Sequence, residues 1–133
     1  MNTKPDRVAT LIKRHRERAL CVEALEVPRA RAMARAARVL AQETIAGASL
    51  YASTGEMRER AREVVEAARE RAPEGDEVAV EAVCIAMQQQ AQQIAKQLLM
   101  RATEFDEAAL RLEGERLSLI ETIGLLESDE ATG

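Results

Sequence analysis

Residues 78–127 read VAVEAVCIAMQQQAQQIAKQLLMRATEFDEAALRLEGERLSLIETIGLLE. These fifty residues hold no proline and only two glycines, Gly114 and Gly124. Apolar residues recur every three or four positions nearly to the end, the period of a helix with one packed face. At 1.5 Å per residue, such a helix would be about 75 Å long. A strict heptad reading gives the seam Val80, Cys84, Met87, Ala91, Ile94, Leu98, Arg101, Phe105, Ala108, Leu112, Glu115, Leu119, Thr122, Leu126. Eleven of these fourteen are apolar, so a coiled-coil-like seam is expected. Arg101, Glu115 and Thr122 interrupt it. They signal a drift toward the 3.6 period, which brings Ala102, Ile120 and Ile123 onto the face. Gly114 is the expected break point, with a lesser one near Asp106.

Three shorter segments precede this run. The first, 6–26, places Val8, Leu11, Ile12, His15, Ala19 and Val22 on one face, with Pro28 expected to end it. The second, 29–52, carries the stripe Met33, Ala37, Leu40, Thr44, Ala48 and Tyr51. Gly47 marks a close crossing or a shallow bend in it. The third, 56–72, opens on a Ser53/Glu56 capping-box spacing and buries Met57, Ala61, Val64, Val65 and Ala68. Its Glu and Arg residues pair at three- and four-residue spacings on a solvated surface. Residues 72–76 form the clearest joint, a Pro-Glu-Gly turn with Asp76 as the N-cap of the long run. The second and third segments, folded back, cover only part of the fourth. The distal part, from Phe105 on, therefore needs either a break near Gly114 or a second molecule.

The composition agrees with an all-α chain. It is 47% hydrophobic with only two aromatic residues, Tyr51 and Phe105, and is rich in Ala, Glu, Arg, Leu and Gln, all good helix formers. The length of 133 residues suits a single helical domain with frayed ends at 1–5 and 128–133. The expected architecture is a three- or four-helix bundle with a long C-terminal helix. No apolar run is long enough for a transmembrane helix, and no leader pattern opens the chain. Cys21 and Cys84 are far apart, which suits two free thiols in a reducing cytoplasm.

The net charge of −4 is unevenly spread. Residues 1–38 hold ten Lys or Arg against four Asp or Glu, and residues 39–133 hold nine against nineteen. Three readings follow: the two parts pack on each other, they meet in neighbouring subunits, or the basic part binds an anion.

The sequence gives no catalytic constellation. One histidine, His15, lies on an apolar face, and no Glu-x-x-His pair, close Cys/His spacing, phosphate-binding loop or nucleophile elbow is present. No catalytic residue, metal or cofactor is expected. Cys84 reads as a small core residue and Cys21 as a surface thiol. Gln88 to Gln93, with alanine at 91, could line a seam without charge. The expected function is a non-enzymatic protein–protein interaction module: an adaptor, a scaffold, a chaperone or a phage-type accessory factor. It would form a homodimer through Ile94, Leu98, Phe105, Leu112 and Leu119. The alternative is a nucleic-acid-binding regulator using Lys13, Arg14, Arg18, Arg31, Arg35 and Arg38. An acidic chain without aromatics for base stacking fits that alternative less well.

Overall fold

The computed structural model describes residues 4–68 and 76–132, with side chains over 6–68 and 76–130. The described residues are all helical apart from the joints, and the fold is the all-α bundle with a long C-terminal helix that the periodicity predicts. Helix α1 covers Lys4–Cys21, a π turn covers Val22–Glu26, and α2 covers Val27–Ser53. Helix α3 covers Glu56–Ala68 and α4 covers Glu77–Thr132. The contacts group into two compact units: residues 1–35 with 102–133, and residues 36–101.

Three expected breaks are absent. Helix α4 passes through Asp106 and Gly114 without interruption and continues through 128–132, the stretch expected to fray. One glycine costs a helix about 1 kcal/mol, too little to end it while its neighbours are packed. Nor does Pro28 end a helix. Val27 just before it is helical (φ −65°, ψ −50°), and its N–H donates to the carbonyl of Val22, five residues back. In a regular α-helix the pyrrolidine ring would meet the carbonyl of Ala24. The wider π turn opens the backbone at that point, so the chain runs from α1 into α2 without reversing.

The π turn also sets which residues face inward. Along α1, Ile12, Ala19 and Val22 are buried and Val8 and His15 half-buried. Leu11, expected on this face, is more exposed. Along α2 the buried series is Val27, Ala30, Ala34, Ala37 and Ala41. Each series steps by three and four, but they are one residue out of phase, and the extra residue of the π turn supplies that shift. Without it, the register of α2 carried back would turn Lys13, Arg16 and Glu23 inward.

In the unit of 1–35 with 102–133, α1 and the start of α2 pack against the distal part of α4. Val22, Val27, Ala30 and Ala109 form the buried cluster, with Leu112 against it. Arg16 pairs with Glu127, Arg18 with Glu115 at 2.9 Å, and Arg31 with Glu113 at 2.9 Å. The partners descend along α4 as residue number rises along α1 and α2, so the packing is antiparallel. The distal part of α4 is thus covered by the chain's own first helix rather than by a fold-back at Gly114. The basic N-terminal region and the acidic C-terminal region pack on each other, the first of the three charge readings.

In the unit of 36–101, Met57, Ala61 and Val65 of α3 form a core with Val80 and Cys84 of α4. Tyr51, Ala52, Ala79, Val83 and Met87 pack around it. Val64 is half-buried and Ala68 exposed. Ser53 does not form the expected capping box: its hydroxyl donates to the Leu50 carbonyl. Gly55 makes the joint instead. Its φ of +82° belongs to the left-handed region that favours glycine, and its carbonyl accepts the first α3 bond, from Glu59 N–H at 3.1 Å. Asp76 caps α4 as expected, its carboxylate accepting from Ala79 N–H at 3.2 Å. The turn and helix end expected over 69–75 lie outside the described residues.

Candidate interaction surface

Large apolar side chains near the helix seams lie mostly outside the core. The stripe expected on α2 placed Met33 and Leu40 inward; they are 44% and 50% exposed, while their neighbours Ala34 and Ala41 are 0% and 1% exposed. In α4 the expected Ile94 is 44% exposed and Ala95 is 1% exposed. The same one-residue step replaces Arg101 by Ala102, Ala108 by Ala109 and Thr122 by Ile123. Half of the heptad reading holds: Leu98, Phe105, Leu112 and Leu119 are half-buried along the seam. Ala102 and Ile123 join the face as expected, whereas Ile120 stays exposed.

The seam is therefore built mainly of alanine. Alanine lets two helix backbones approach closely, and a larger side chain has no room between them. The larger residues beside the seam are displaced to its flanks. The chain has thirteen leucines; none is buried, and nine are exposed. Leucine is ordinarily among the most buried residue types, so this inversion distinguishes the surface. Each buried alanine removes little apolar area from water, while each exposed leucine forgoes part of the about 1.5–3 kcal/mol that full burial brings.

Two open grooves lie among these side chains. In the first unit, one is lined by Arg16, Ala19, Leu20, Glu23, Arg116, Ile120 and Ile123. In the second unit, one is lined by Ile45, Ala48, Ser49, Ala52, Gln88, Ala91 and Gln92. Both are open troughs between neighbouring helices.

The basic residues have mixed surroundings. Arg18 bridges Glu115 and Glu26, and Arg31 meets Glu113. The hydrogen bond and charge of Arg18 hold the Glu115 carboxyl below the usual carboxylate range. Arg18 is in turn raised above its ordinary value, chiefly by Glu115. Lys13, Arg14, Arg35 and Arg38 are exposed. Within the predicted patch, Arg18 and Arg31 turn their guanidinium groups to the chain's own glutamates. In the other unit Arg58 meets Glu77 at 2.6 Å and Glu81 at 3.1 Å, and Arg62 meets Glu77 at 3.3 Å. These contacts cross to α4; the pairs expected within α3 are represented by Arg60 with Glu63. Together with the groove from Ile45 to Gln92, they show α2 and α3 meeting successively earlier turns of α4. The joint at Gly55 breaks the helix without reversing its direction.

Among the described residues no group of three His, Cys, Asp or Glu side chains is placed to hold a metal ion. Cys21 is exposed, Cys84 is buried in the second unit's core, and both are free thiols. No described helix is long and apolar enough to cross a membrane. No protein-family profile, characterised protein or solved structure matches the chain.

Sequence reasoning placed Ala19, Ala37, Ala61 and Ala102 inward but missed Ala30, Ala34, Ala41, Ala95 and Ala109, because alanine carries a weak apolar signal. A larger neighbour one position away outweighs it in any periodicity count. The spacing of Ala30, Ala34, Ala37 and Ala41, steps of four, three and four, was the available clue.

Proposed function

We propose that this chain is a non-enzymatic helical module that works by binding protein through its outward apolar residues. One observation carries the reading: nine leucines are exposed and none is buried, while alanines fill the seam. A helix pair held by alanine needs little apolar area for its own contact. The flanking leucines then serve a partner, where aliphatic anchors set in grooves supply binding free energy. The open troughs support the same use. An adaptor, scaffold or chaperone role is compatible with this surface.

The test separates the chain's own stability from its binding. Leu20, Leu110, Leu117 and Leu125 are replaced together by glutamine. The variant is expected to keep its helicity and unfold cooperatively within a few degrees of the parent. A photoreactive residue at position 110 is expected to crosslink a protein in the source cell, and the crosslink is lost when the other three leucines are changed. A large fall in melting temperature would show that the leucines serve the fold instead.

A further inference from the structure

The charges, as well as the leucines, are unevenly placed. Between Ala82 and Met100, nineteen residues of α4, the single charged residue is Lys96. Between Thr44 and Gly55, at the end of α2 and its joint, there is none. The chain as a whole is 32% charged, so nineteen residues would ordinarily carry about six charges. Both stretches lie in the unit of 36–101, and both line its groove. Gln88, Gln89, Gln90, Gln92 and Gln93 are exposed where a solvated helix of this protein would elsewhere carry Glu or Arg. Ile45, Ile85 and Leu99 are exposed too. Ile85, Gln92 and Leu99 follow at seven-residue steps and so share a face of α4, with Gln88 beside Ile85. Ile45, Ser49 and Ala52 share a face of α2 in the same way.

We infer that this uncharged belt is a dimer face and that its occupant is the same belt of a second copy. The inference rests on the interaction-module reading and names its partner. Depletion of charge at the centre of a patch marks interfaces more reliably than bulk hydrophobicity does. A partner recognised by charge would find nothing here to pair with. A second copy carries −4 overall and is repelled from most of this molecule's surface, but it meets no like charge across the belt apart from Lys96. The dimensions fit. Nineteen helical residues of α4 span about 28 Å and the ten of α2 about 15 Å; at about 10 Å of width each, the uncharged surface is on the order of 430 Å² per copy. With the adjoining turns as its rim, it approaches the lower end of stable dimer interfaces, about 600 Å² a side. A two-fold contact sets small Ala48, Ser49 and Ala52 against glutamine and isoleucine side chains, giving the belt its own complementary surface.

The experiment is sedimentation equilibrium on the full chain at micromolar concentration. The expected mass is twice 14.6 kDa. Two charged variants, Gln88→Glu with Gln92→Glu and Gln88→Lys with Gln92→Lys, are each expected to weaken self-association at least about a hundredfold while their helicity is unchanged. Mixing the two is expected to restore the dimer as a heterodimer. The control is Leu110→Lys with Leu117→Lys in the other unit, which leaves the dimer intact. A monomeric parent overturns the inference, and the leucine surface remains open to a different protein. A dimer that survives both glutamine variants, or one broken only by the leucine variant, also overturns it and places self-association elsewhere.

Discussion

The unit of 1–35 with 102–133 and the unit of 36–101 solve the same packing problem with different side chains. Each sets helices antiparallel to α4 over a narrow seam in which alanines stand among a few Val, Ile or Met side chains. In the first, glutamates of α4 meet arginines of α1 and α2 across the seam: Arg16 with Glu127, Arg18 with Glu115, and Arg31 with Glu113. In the second, Arg58 and Arg62 meet Glu77 and Glu81 at one end. Its middle, residues 82–100 with 44–55, carries a single charge, Lys96. Alanine seams discriminate poorly between registers, because successive alanines are alike. Charges specify alignment where a seam does not. The first unit uses its charges to align its own helices; the second withholds them over the surface assigned to another copy.

Shifting the register is the strongest way to break the first unit. Deleting Glu17 rotates Val8, Ile12 and His15 out of the seam and uncouples Arg16 from its place opposite Glu127. The loss is expected to be about 3 kcal/mol or more, since burial of two aliphatic side chains is forfeited. Deleting Ala24 together with Pro28→Ala removes the π turn and its phase shift at once, leaving one continuous α-helix with the same residues inward. That variant is expected to stay within about 1 kcal/mol of the parent. Chemical denaturation followed by circular dichroism compares the two deletions. Equal damage from both would mean that the π turn does not set the register.

The glycines give a smaller contrast. Gly114 is helical, and a methyl group there meets nothing within 4 Å. Gly114→Ala should therefore stabilise the first unit by about 0.5–1 kcal/mol. Gly55 also has open space around it, but its φ of +82° strains any other residue. Gly55→Ala should destabilise the second unit by about 1 kcal/mol. Thermal unfolding should move in opposite directions for the two.

The ion pairs give the smallest effect, seen as pH dependence. Arg18 lowers Glu115, and Arg58 with Arg62 lowers Glu77, from an ordinary value of 4.5. A carboxyl lowered by folding stabilises the protein fully above its ordinary value, and that contribution is lost as pH falls through the lowered one. Stability should therefore be flat from neutral pH to about 4.5 as far as these groups are concerned, then decline. The raised arginines contribute their full share throughout this range. Glu115→Gln should make the acid decline shallower, and added salt should reduce the difference between parent and variant. An unchanged acid decline would mean that the Arg18 pair does not contribute.

Much of the fold was legible in the sequence, for identifiable reasons. The helix class followed from composition and spacing, and the N-cap at Asp76 from its position after Pro73 and Gly75. The series Cys84, Ala91, Leu98, Phe105, Leu112, Leu119 was legible because most of its members are large. The companion series was legible at Ala102 and Ile123 but not at Ala95 and Ala109, which stand beside residues that outweigh or equal them. The cover over the distal part of α4 was hidden by Pro28, which reads as a helix end unless a π turn accommodates it. The charge imbalance between residues 1–38 and the rest already held that answer, since opposite charges brought together is how α1 meets α4. For the surface, the glutamine run was visible as a stretch without charge. Its coincidence with an uncharged stretch of α2 needed the packing of the two helices.

The central claim is that alanines hold the helices together and leucines do not. Two adjacent residues test it most directly: Ala109, buried against Val22 and Val27, and Leu110, exposed beside it. Unfolding free energies of Ala109→Leu and Leu110→Gln are measured by denaturant titration. The account predicts a loss of about 1–3 kcal/mol for Ala109→Leu, from overpacking a close seam. It predicts a change within about 0.5 kcal/mol for Leu110→Gln, an exposed position. The reverse order, with Ala109→Leu tolerated and Leu110→Gln damaging, would contradict it.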